Sequence, residues 1–124
     1  EALADMRTDL QVARDGDEAM TLLRAAGGDG GTPVPDVVLL DLNLPRKGGH
    51  EVLAEIRGDV GLTHLPVVVL TTSSAEQDVM EAYRLHANAF VTKPSGFEAY
   101  ADVLRGIRSF FGEVAAVPPR TGGR

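Results

Sequence analysis

An aliphatic stretch that ends in a carboxylate constrains the fold of this chain more than any other feature. Residues 37–45 read VVLLDLNLP, so four aliphatic residues run directly into Asp41, and Pro45 then breaks the chain. A short apolar run rich in β-branched residues is typical of a strand buried on both faces. Because an unpaired charge inside that core would be costly, we expect Asp41 at the carboxyl end of the strand. On this stretch alone, a carboxylate that caps a turn or a helix explains Asp41 equally well.

Apolar periodicity divides the rest of the chain into alternating strands and helices. Short apolar runs predict further strands at residues 10–13, 66–72 and 89–94. Apolar faces predict helices after residue 18, over 51–57, from about 75 to 86, and up to about 111, with capping boxes at 15–18, 73–76 and 95–98. Strands and helices that alternate at this spacing require right-handed crossovers. We therefore predict an α/β fold with a doubly wound parallel sheet.

Composition bounds the class of protein. The length of 124 residues suits one domain, which we expect over residues 1–112, with residues 113–124 as a tail or dimerisation arm. The net charge of −6 argues against nucleic acid as a partner, because phosphate contacts need basic residues. No apolar run approaches the roughly 18 residues of a membrane span, and no signal peptide opens the chain. We expect no membrane association and a cytoplasmic location.

Three predicted strands end in polar side chains of different chemistry, Asp41, Thr71 and Lys93. The carboxyl ends of parallel strands share one edge of the sheet, where the three groups can converge. A carboxylate there is a nucleophile that can form an acyl phosphate, while an ammonium and a hydroxyl can contact phosphoryl oxygens. The combination indicates a site that handles a phosphoryl group. The non-functional alternatives are that Lys93 is a surface lysine before a turn and that Thr71 caps the next helix.

Three motifs resemble the receiver domain of two-component response regulators. They are VVLLDLNLP at residues 37–45, VVVLTTS at 67–73 and AFVTKP at 89–94. The likeness extends from the first residues to about Gly112. The LTTS segment, the HANA segment at 86–89 and the end of the last helix narrow it to single-domain regulators associated with phytochromes. The resemblance implies a flavodoxin-like receiver fold with strand order 2-1-3-4-5.

The resemblance also implies roles for individual residues. Asp41 would be the phosphoacceptor, and Lys93 would pair with the phosphoryl group. Thr71 would be the switch hydroxyl, and Phe90 the switch aromatic that turns inward with it. A permanently buried Phe90 is the plain alternative, since aromatic residues in strands usually serve packing.

A metal site and a backbone feature are implied as well. The backbone carbonyl of Asn43 and the Asp41 carboxylate would bind Mg²⁺, and the bond between Lys93 and Pro94 would be cis. The first strand of the family, with its pair of acidic metal ligands, should precede Glu1. We therefore expect a chain that lacks the central strand, and with Asp41 alone a weak metal site.

The main functional hypothesis is a switch that is phosphorylated on its own aspartate and is not an enzyme with a free product. A sensor histidine kinase would be its partner, with a bacteriophytochrome as one candidate, and a homodimer would form through the last helix and residues 114–117. One alternative is a receiver-like binding module that is never phosphorylated. A second is a phosphatase of the haloacid-dehalogenase type, which would want a general acid where this chain has Asn43.

Overall fold

The structure is a computed structural model that describes residues 15–25, 35–43 and 47–111. Within those ranges the chain forms four helices and three strands. In chain order they are α1 (Gly16–Ala25), β1 (Val38–Leu40), α2 (Gly49–Gly58), β2 (Val67–Thr71), α3 (Glu76–Arg84), β3 (Ala89–Thr92) and α4 (Phe97–Ser109). The strand expected at residues 10–13 lies outside the described residues. None of the helices in these ranges has the length and apolar character needed to cross a membrane.

The three strands form one parallel sheet in the order β1-β2-β3. Strand β2, the middle one of these three, is buried along its whole length, as expected for a β-branched run covered on both faces. In the register, Val69 pairs with Leu40 on one side and with Phe90 on the other. All three carboxyl ends therefore reach the same edge of the sheet, and the predicted parallel α/β arrangement is confirmed.

Helices cover both faces of the sheet because successive strand residues point to opposite sides. Val67 and Val69 belong to a core cluster to which α1, α2 and α3 contribute Met20, Val52, Leu53, Ile56 and Ala82. Val68 and Val91 face the other way. With α4 they line an apolar cleft of about 350 Å³, whose helical side includes Val103 and Ile107. This two-sided packing confirms the doubly wound arrangement.

The predicted N-caps agree with the structure at α1 only. There the Asp15 carboxylate accepts a hydrogen bond from the Glu18 N–H at 2.8 Å, as expected for an N-cap. The predicted cap at Ser73 is wrong, because α3 begins only after Ala75, which has no side-chain cap. The Ser73 hydroxyl instead donates to Asp78 at 2.5 Å and accepts from the Ala75 N–H, so it stabilises the turn before the helix.

The predicted cap at Ser95 is also wrong. Gly96 precedes α4 with a φ of 91°, a left-handed conformation that glycine adopts without the steric cost of a Cβ. The turn at Gly96 moves the start of the helix to Phe97, beyond the reach of a capping side chain at Ser95.

The end of α3 is a left-handed cap built on a residue that is not glycine. His86 has a φ of 72°, and its N–H donates to the Tyr83 carbonyl at 2.9 Å. The Ala87 N–H donates to the Ala82 carbonyl at 2.9 Å, which completes a Schellman motif. The helix therefore ends at Arg84, two residues before its expected end, and the chain turns sharply into β3.

Candidate functional site

The carboxyl edge of the sheet brings together the three side chains that the sequence singled out. Asp41 directly follows β1, Thr71 is the last residue of β2, and Lys93 directly follows β3. The Lys93 Nζ donates to Asp41 Oδ2 at 2.7 Å across 52 positions of sequence. The expected convergence of an acid, a hydroxyl and an amine at one edge is therefore present in the structure.

The loop that carries Asp41 is held from two directions. Asp41 Oδ1 accepts a hydrogen bond from the backbone N–H of Asn43 at 2.9 Å, which closes a turn after the strand. Gly49, at the start of α2, packs directly against this loop. A Cβ at Gly49 would lie 2.5 Å from the Asp41 carbonyl oxygen and 2.6 Å from the Leu42 Cα. This close packing of Gly49 fixes the backbone of Asp41.

Thr71 sits beneath the site with its side chain fully buried. Its hydroxyl accepts a long hydrogen bond, 3.4 Å, from the side-chain amide of Asn43. The Thr71 carbonyl accepts a shorter one, 2.7 Å, from the Lys93 N–H. Thr71 is therefore linked to both neighbouring strand ends, through its side chain to the Asp41 loop and through its backbone to Lys93.

Phe90 lies in β3, half-buried, and packs against the core cluster on the face that carries Val69. In this conformation the Phe90 side chain therefore serves packing of the core. The proposed inward turn of the ring remains a prediction.

The charged pair at the edge sets the protonation state of both partners. Burial raises the pKa of Asp41, but hydrogen bonds from Lys93 and the Asn43 N–H, together with the Lys93 charge, outweigh it and hold the pKa below its ordinary 3.8. The hydrogen bond to Asp41 raises the pKa of Lys93 above its ordinary 10.5, against the effect of burial. At neutral pH the site therefore presents a carboxylate and an ammonium in contact.

This pair makes the stability of the fold depend on pH at both extremes. Because folding lowers the pKa of Asp41, its contribution is present above 3.8 and is lost as the pH falls through the lower folded value. Because folding raises the pKa of Lys93, its contribution is present below 10.5 and is lost as the pH rises through the higher folded value. We expect the free-energy difference of unfolding between the wild type and Asp41→Asn to be flat from about pH 5 to about pH 9.

Urea unfolding of the two proteins across the pH range measures that difference. The pair is about one-third exposed on each side, with side-chain exposures of 32% for Asp41 and 27% for Lys93. In the flat pH range, the difference in the free energy of unfolding between the two proteins should therefore be small, about 1 kcal/mol or less. A difference that grew as the pH fell below 4 would contradict the assignment of Asp41 as the partner stabilised in its charged form.

The peptide bond between Lys93 and Pro94 is trans, since the described residues contain no cis peptide bond. The predicted cis bond is therefore wrong. Trans is the intrinsically favoured isomer even before proline, and the trans chain already brings Lys93 into contact with Asp41.

A divalent cation at this edge would find part of a ligand set. Asp41 offers a carboxylate and Asn43 a backbone carbonyl, and both Asp41 oxygens already accept hydrogen bonds. In the ranges that the structure covers, no group of three or more acidic, histidine or cysteine side chains could hold a metal. Mg²⁺ commonly binds one or two carboxylates and completes its shell with water and phosphate oxygens. The described residues therefore fit such an ion in part, and by themselves would hold it weakly.

The fold and the site together define a class of protein, a flavodoxin-like α/β domain with a carboxylate, a hydroxyl and an ammonium at the carboxyl edge of its sheet. Comparison with known families gives the family itself. The model for the response regulator receiver domain matches residues 1–105, and the chain belongs to that family. Receiver domains are signalling switches, so the phosphatase alternative is wrong. The order β1-β2-β3 agrees with the last three strands of the predicted 2-1-3-4-5 sheet.

Individual relatives show which members of the receiver family this chain is similar to. The chain is 44% identical over 110 residues to the response regulator Rcp1 of Synechocystis, a match that covers 89% of this chain and 75% of Rcp1. The crystal structure of the phosphorylated cyanobacterial phytochrome response regulator RcpA superposes with a TM-score of 0.82 at 40% identity, covering 94% of this chain and 91% of that one. The Mn²⁺-bound form of Rcp1 gives 0.82 at 41% identity, with 95% and 88% covered. The predicted similarity to phytochrome-associated regulators is confirmed.

Proposed function

We propose that this receiver domain accepts a phosphoryl group on Asp41 from a phosphohistidine of a sensor histidine kinase. The contact between the Asp41 carboxylate and the Lys93 ammonium at 2.7 Å is the observation that carries the proposal. A carboxylate with a lowered pKa is ionised at neutral pH and available as a nucleophile. Because Lys93 already contacts this carboxylate, its ammonium can pair with the negatively charged phosphoryl group when that group is transferred.

The chemistry follows from these two groups. An Asp41 carboxylate oxygen attacks phosphorus, a new oxygen–phosphorus bond forms, and the nitrogen–phosphorus bond of the donor breaks, with its electron pair remaining on the imidazole. The Lys93 ammonium, relieved of the free carboxylate, pairs with the phosphoryl oxygens. The buried Thr71 hydroxyl, at the end of the neighbouring strand, can donate to one of the same oxygens.

The phosphoryl group adds roughly −1.5 to −2 units of charge at this edge. In our proposal Thr71 responds first, exchanging its hydrogen bond from Asn43 for one to the phosphoryl group. The segment after Thr71 leads directly into α3, which exposes Met80 and Tyr83. A shift of Thr71, with Phe90 following on the neighbouring strand, would therefore change the surface of α3.

Mg²⁺ is the cofactor we propose, bound by the Asp41 carboxylate and the Asn43 carbonyl. When bound, it would offset the negative charge that the phosphoryl group brings next to Asp41. The Mn²⁺-bound form of the relative Rcp1 supports the binding of a divalent cation.

Incubation with acetyl phosphate and Mg²⁺, followed by intact mass spectrometry, tests the proposal. We expect the wild type to gain the mass of one phosphoryl group, and we expect no gain for Asp41→Asn or after EDTA treatment. The matched control is Asp102→Asn, which removes an exposed carboxylate on α4 and should leave the gain unchanged. Failure of the wild type to gain phosphate would contradict the proposal, as would a gain that persists in Asp41→Asn.

A binding module that is never phosphorylated is the second candidate. It is favoured by the lack, among the described residues, of a group of three or more acidic, histidine or cysteine side chains that could hold a metal ion. Under this alternative the Asp41–Lys93 pair would only stabilise the fold, and no phosphoryl donor would phosphorylate the chain.

We further propose a bacteriophytochrome as the kinase, in the cytoplasm, because the matched regulators are associated with phytochromes. A homodimer through α4 and residues 114–117, which lie outside the described residues, is proposed as well. Phe110 is 51% exposed and meets Phe111 edge-to-face at 5.1 Å. Both rings border the apolar cleft between α4 and the sheet, which a second copy could cover.

A further inference from the structure

An aromatic ring lies beside the lysine of the site. The ring centroid of Tyr100 is 5.8 Å from the Lys93 Nζ, within the distance of about 6 Å at which a cation is attracted to an aromatic face. The Tyr100 residue is half-buried, and the Lys93 side chain is 27% exposed. Neither group is therefore freely solvated, and the attraction is screened less than it would be on an open surface.

The turn between β3 and α4 puts the ring in this place. Gly96 takes its left-handed φ of 91°, and α4 begins at the next residue. The Tyr100 N–H donates to the Gly96 carbonyl at 3.2 Å, so Tyr100 belongs to the first turn of the helix. The chain thus leaves the sheet at Lys93 and returns one helical turn later with an aromatic ring beside the same ammonium.

We propose that Tyr100 is a positioning residue for Lys93, whose aromatic face keeps the ammonium at the phosphoryl edge while its hydrogen-bonding partner changes. This inference rests on the proposed phosphoacceptor function. An ammonium has three donor hydrogens, and Asp41 takes one of them. A second carboxylate beside Lys93 would compete with the phosphoryl group for this charge. A ring attracts the ammonium without competing as a second anion, so Lys93 can move from the free carboxylate to the phosphoryl oxygens.

Two substitutions separate the ring from the hydroxyl. Tyr100→Leu removes the aromatic face and keeps an apolar side chain, whereas Tyr100→Phe keeps the ring and removes only the hydroxyl. With acetyl phosphate as donor, we expect phosphoryl uptake to slow about 3- to 10-fold in Tyr100→Leu. Tyr100→Phe should stay within about twofold of the wild type. A Tyr100→Phe variant as slow as Tyr100→Leu would overturn the proposal.

A double-variant comparison distinguishes positioning from a general effect on folding. In a Lys93→Met background there is no cation for the ring to hold, so adding Tyr100→Leu should cause no further loss of rate. An undiminished further loss would assign the effect of Tyr100 to packing, and would overturn the proposed role. Thermal unfolding of each variant checks that the domain remains folded at the temperature of the assay.

A second readout does not depend on phosphorylation. In proton NMR, the Lys93 methylene group next to Nζ should show the shift that a nearby aromatic ring induces. That shift should be retained in Tyr100→Phe and lost in Tyr100→Leu. A Lys93 signal that is the same in all three proteins would show that the ring does not hold the ammonium. If the wild type takes up no phosphate, the proposed function fails while this measurement still decides the Tyr100 contact.

Discussion

Replacing Lys93 with methionine should slow phosphoryl uptake by Asp41 at least about 100-fold. Methionine keeps an unbranched apolar stem of similar length but removes the ammonium that lies 2.7 Å from Asp41. Removing one preorganised donor from the place where charge develops typically costs a factor of about 100 to 1,000 in rate. The rate of mass gain with acetyl phosphate, followed by intact mass spectrometry, measures the effect.

The other lysine of the chain provides a matched control. Lys47 lies six residues after Asp41, and its ammonium is paired with Glu55 on α2. Lys47→Met removes the same charge from the same molecule but away from the Asp41 oxygens, so uptake should stay within about threefold of the wild type. Lys93→Met should also unfold at nearly the same urea concentration as the wild type, because a partly exposed ion pair contributes about 1 kcal/mol or less. A Lys93→Met protein with a rate similar to that of Lys47→Met would contradict the proposed role of Lys93.

Arg57→Ala should destabilise the fold by about 2–4 kcal/mol, the largest stability effect that we expect from a single partly exposed side chain. The guanidinium of Arg57 donates to three backbone carbonyls, those of Thr63, Leu65 and His86, at 2.7–2.9 Å. It also donates to Asn88 Oδ1 at 3.0 Å, and the same oxygen accepts from the Val67 N–H at 2.7 Å.

This single side chain therefore joins three parts of the fold at the amino ends of the strands. It ties the end of α2 to the loop before β2 and to the Schellman turn after α3. Burial lowers the pKa of Arg57, and among the described residues no carboxylate lies within ion-pair distance of it. Its removal would leave several partly buried carbonyls without their donor.

Two comparisons isolate the contribution of Arg57. Arg84→Ala and Arg105→Ala each remove an arginine that pairs with a glutamate or aspartate one turn away on its own helix, and should cost about 0.5 kcal/mol or less. Arg57→Lys should be intermediate, because an ammonium cannot reproduce the planar fork of donors. Urea unfolding measures all four variants. An Arg57→Ala variant that loses no more stability than Arg84→Ala would contradict this role of Arg57.

The architecture and the meeting of the three strand ends follow from the sequence for one physical reason. Buried parallel strands are short apolar runs, and a polar group that follows such a run must lie where the strand leaves the core. Asp41, Thr71 and Lys93 each satisfy this condition, so their convergence is a consequence of topology and requires no knowledge of side-chain contacts.

Features that depend on local competition could not be predicted in the same way. Ser73 and Ser95 both fit a capping pattern, yet a helix can also begin at a neighbouring residue. In the folded chain Ala75 precedes α3 and Gly96 precedes α4. The isomer of the Lys93–Pro94 bond has no local signature either, since both isomers are accessible before proline.

Contacts of Arg57 and Tyr100 leave no pattern in the sequence. The partners of Arg57 are mostly backbone carbonyls, which every residue possesses. The partner of Tyr100 lies seven residues earlier, and the contact depends on the turn at Gly96 that sets the first residue of α4. Such contacts are determined by three-dimensional packing and are found only when the elements are assembled.

Chemical identification of the phosphorylated residue is the most direct test of the central claim. Borohydride reduces an acyl phosphate to an alcohol, and would therefore convert a phosphorylated aspartate into homoserine. Protein treated with acetyl phosphate and Mg²⁺ would be reduced, digested and mapped by tandem mass spectrometry. We predict homoserine at position 41 and at no other acidic position. Phosphate on a different residue, or a phosphate that survives reduction, would contradict the account.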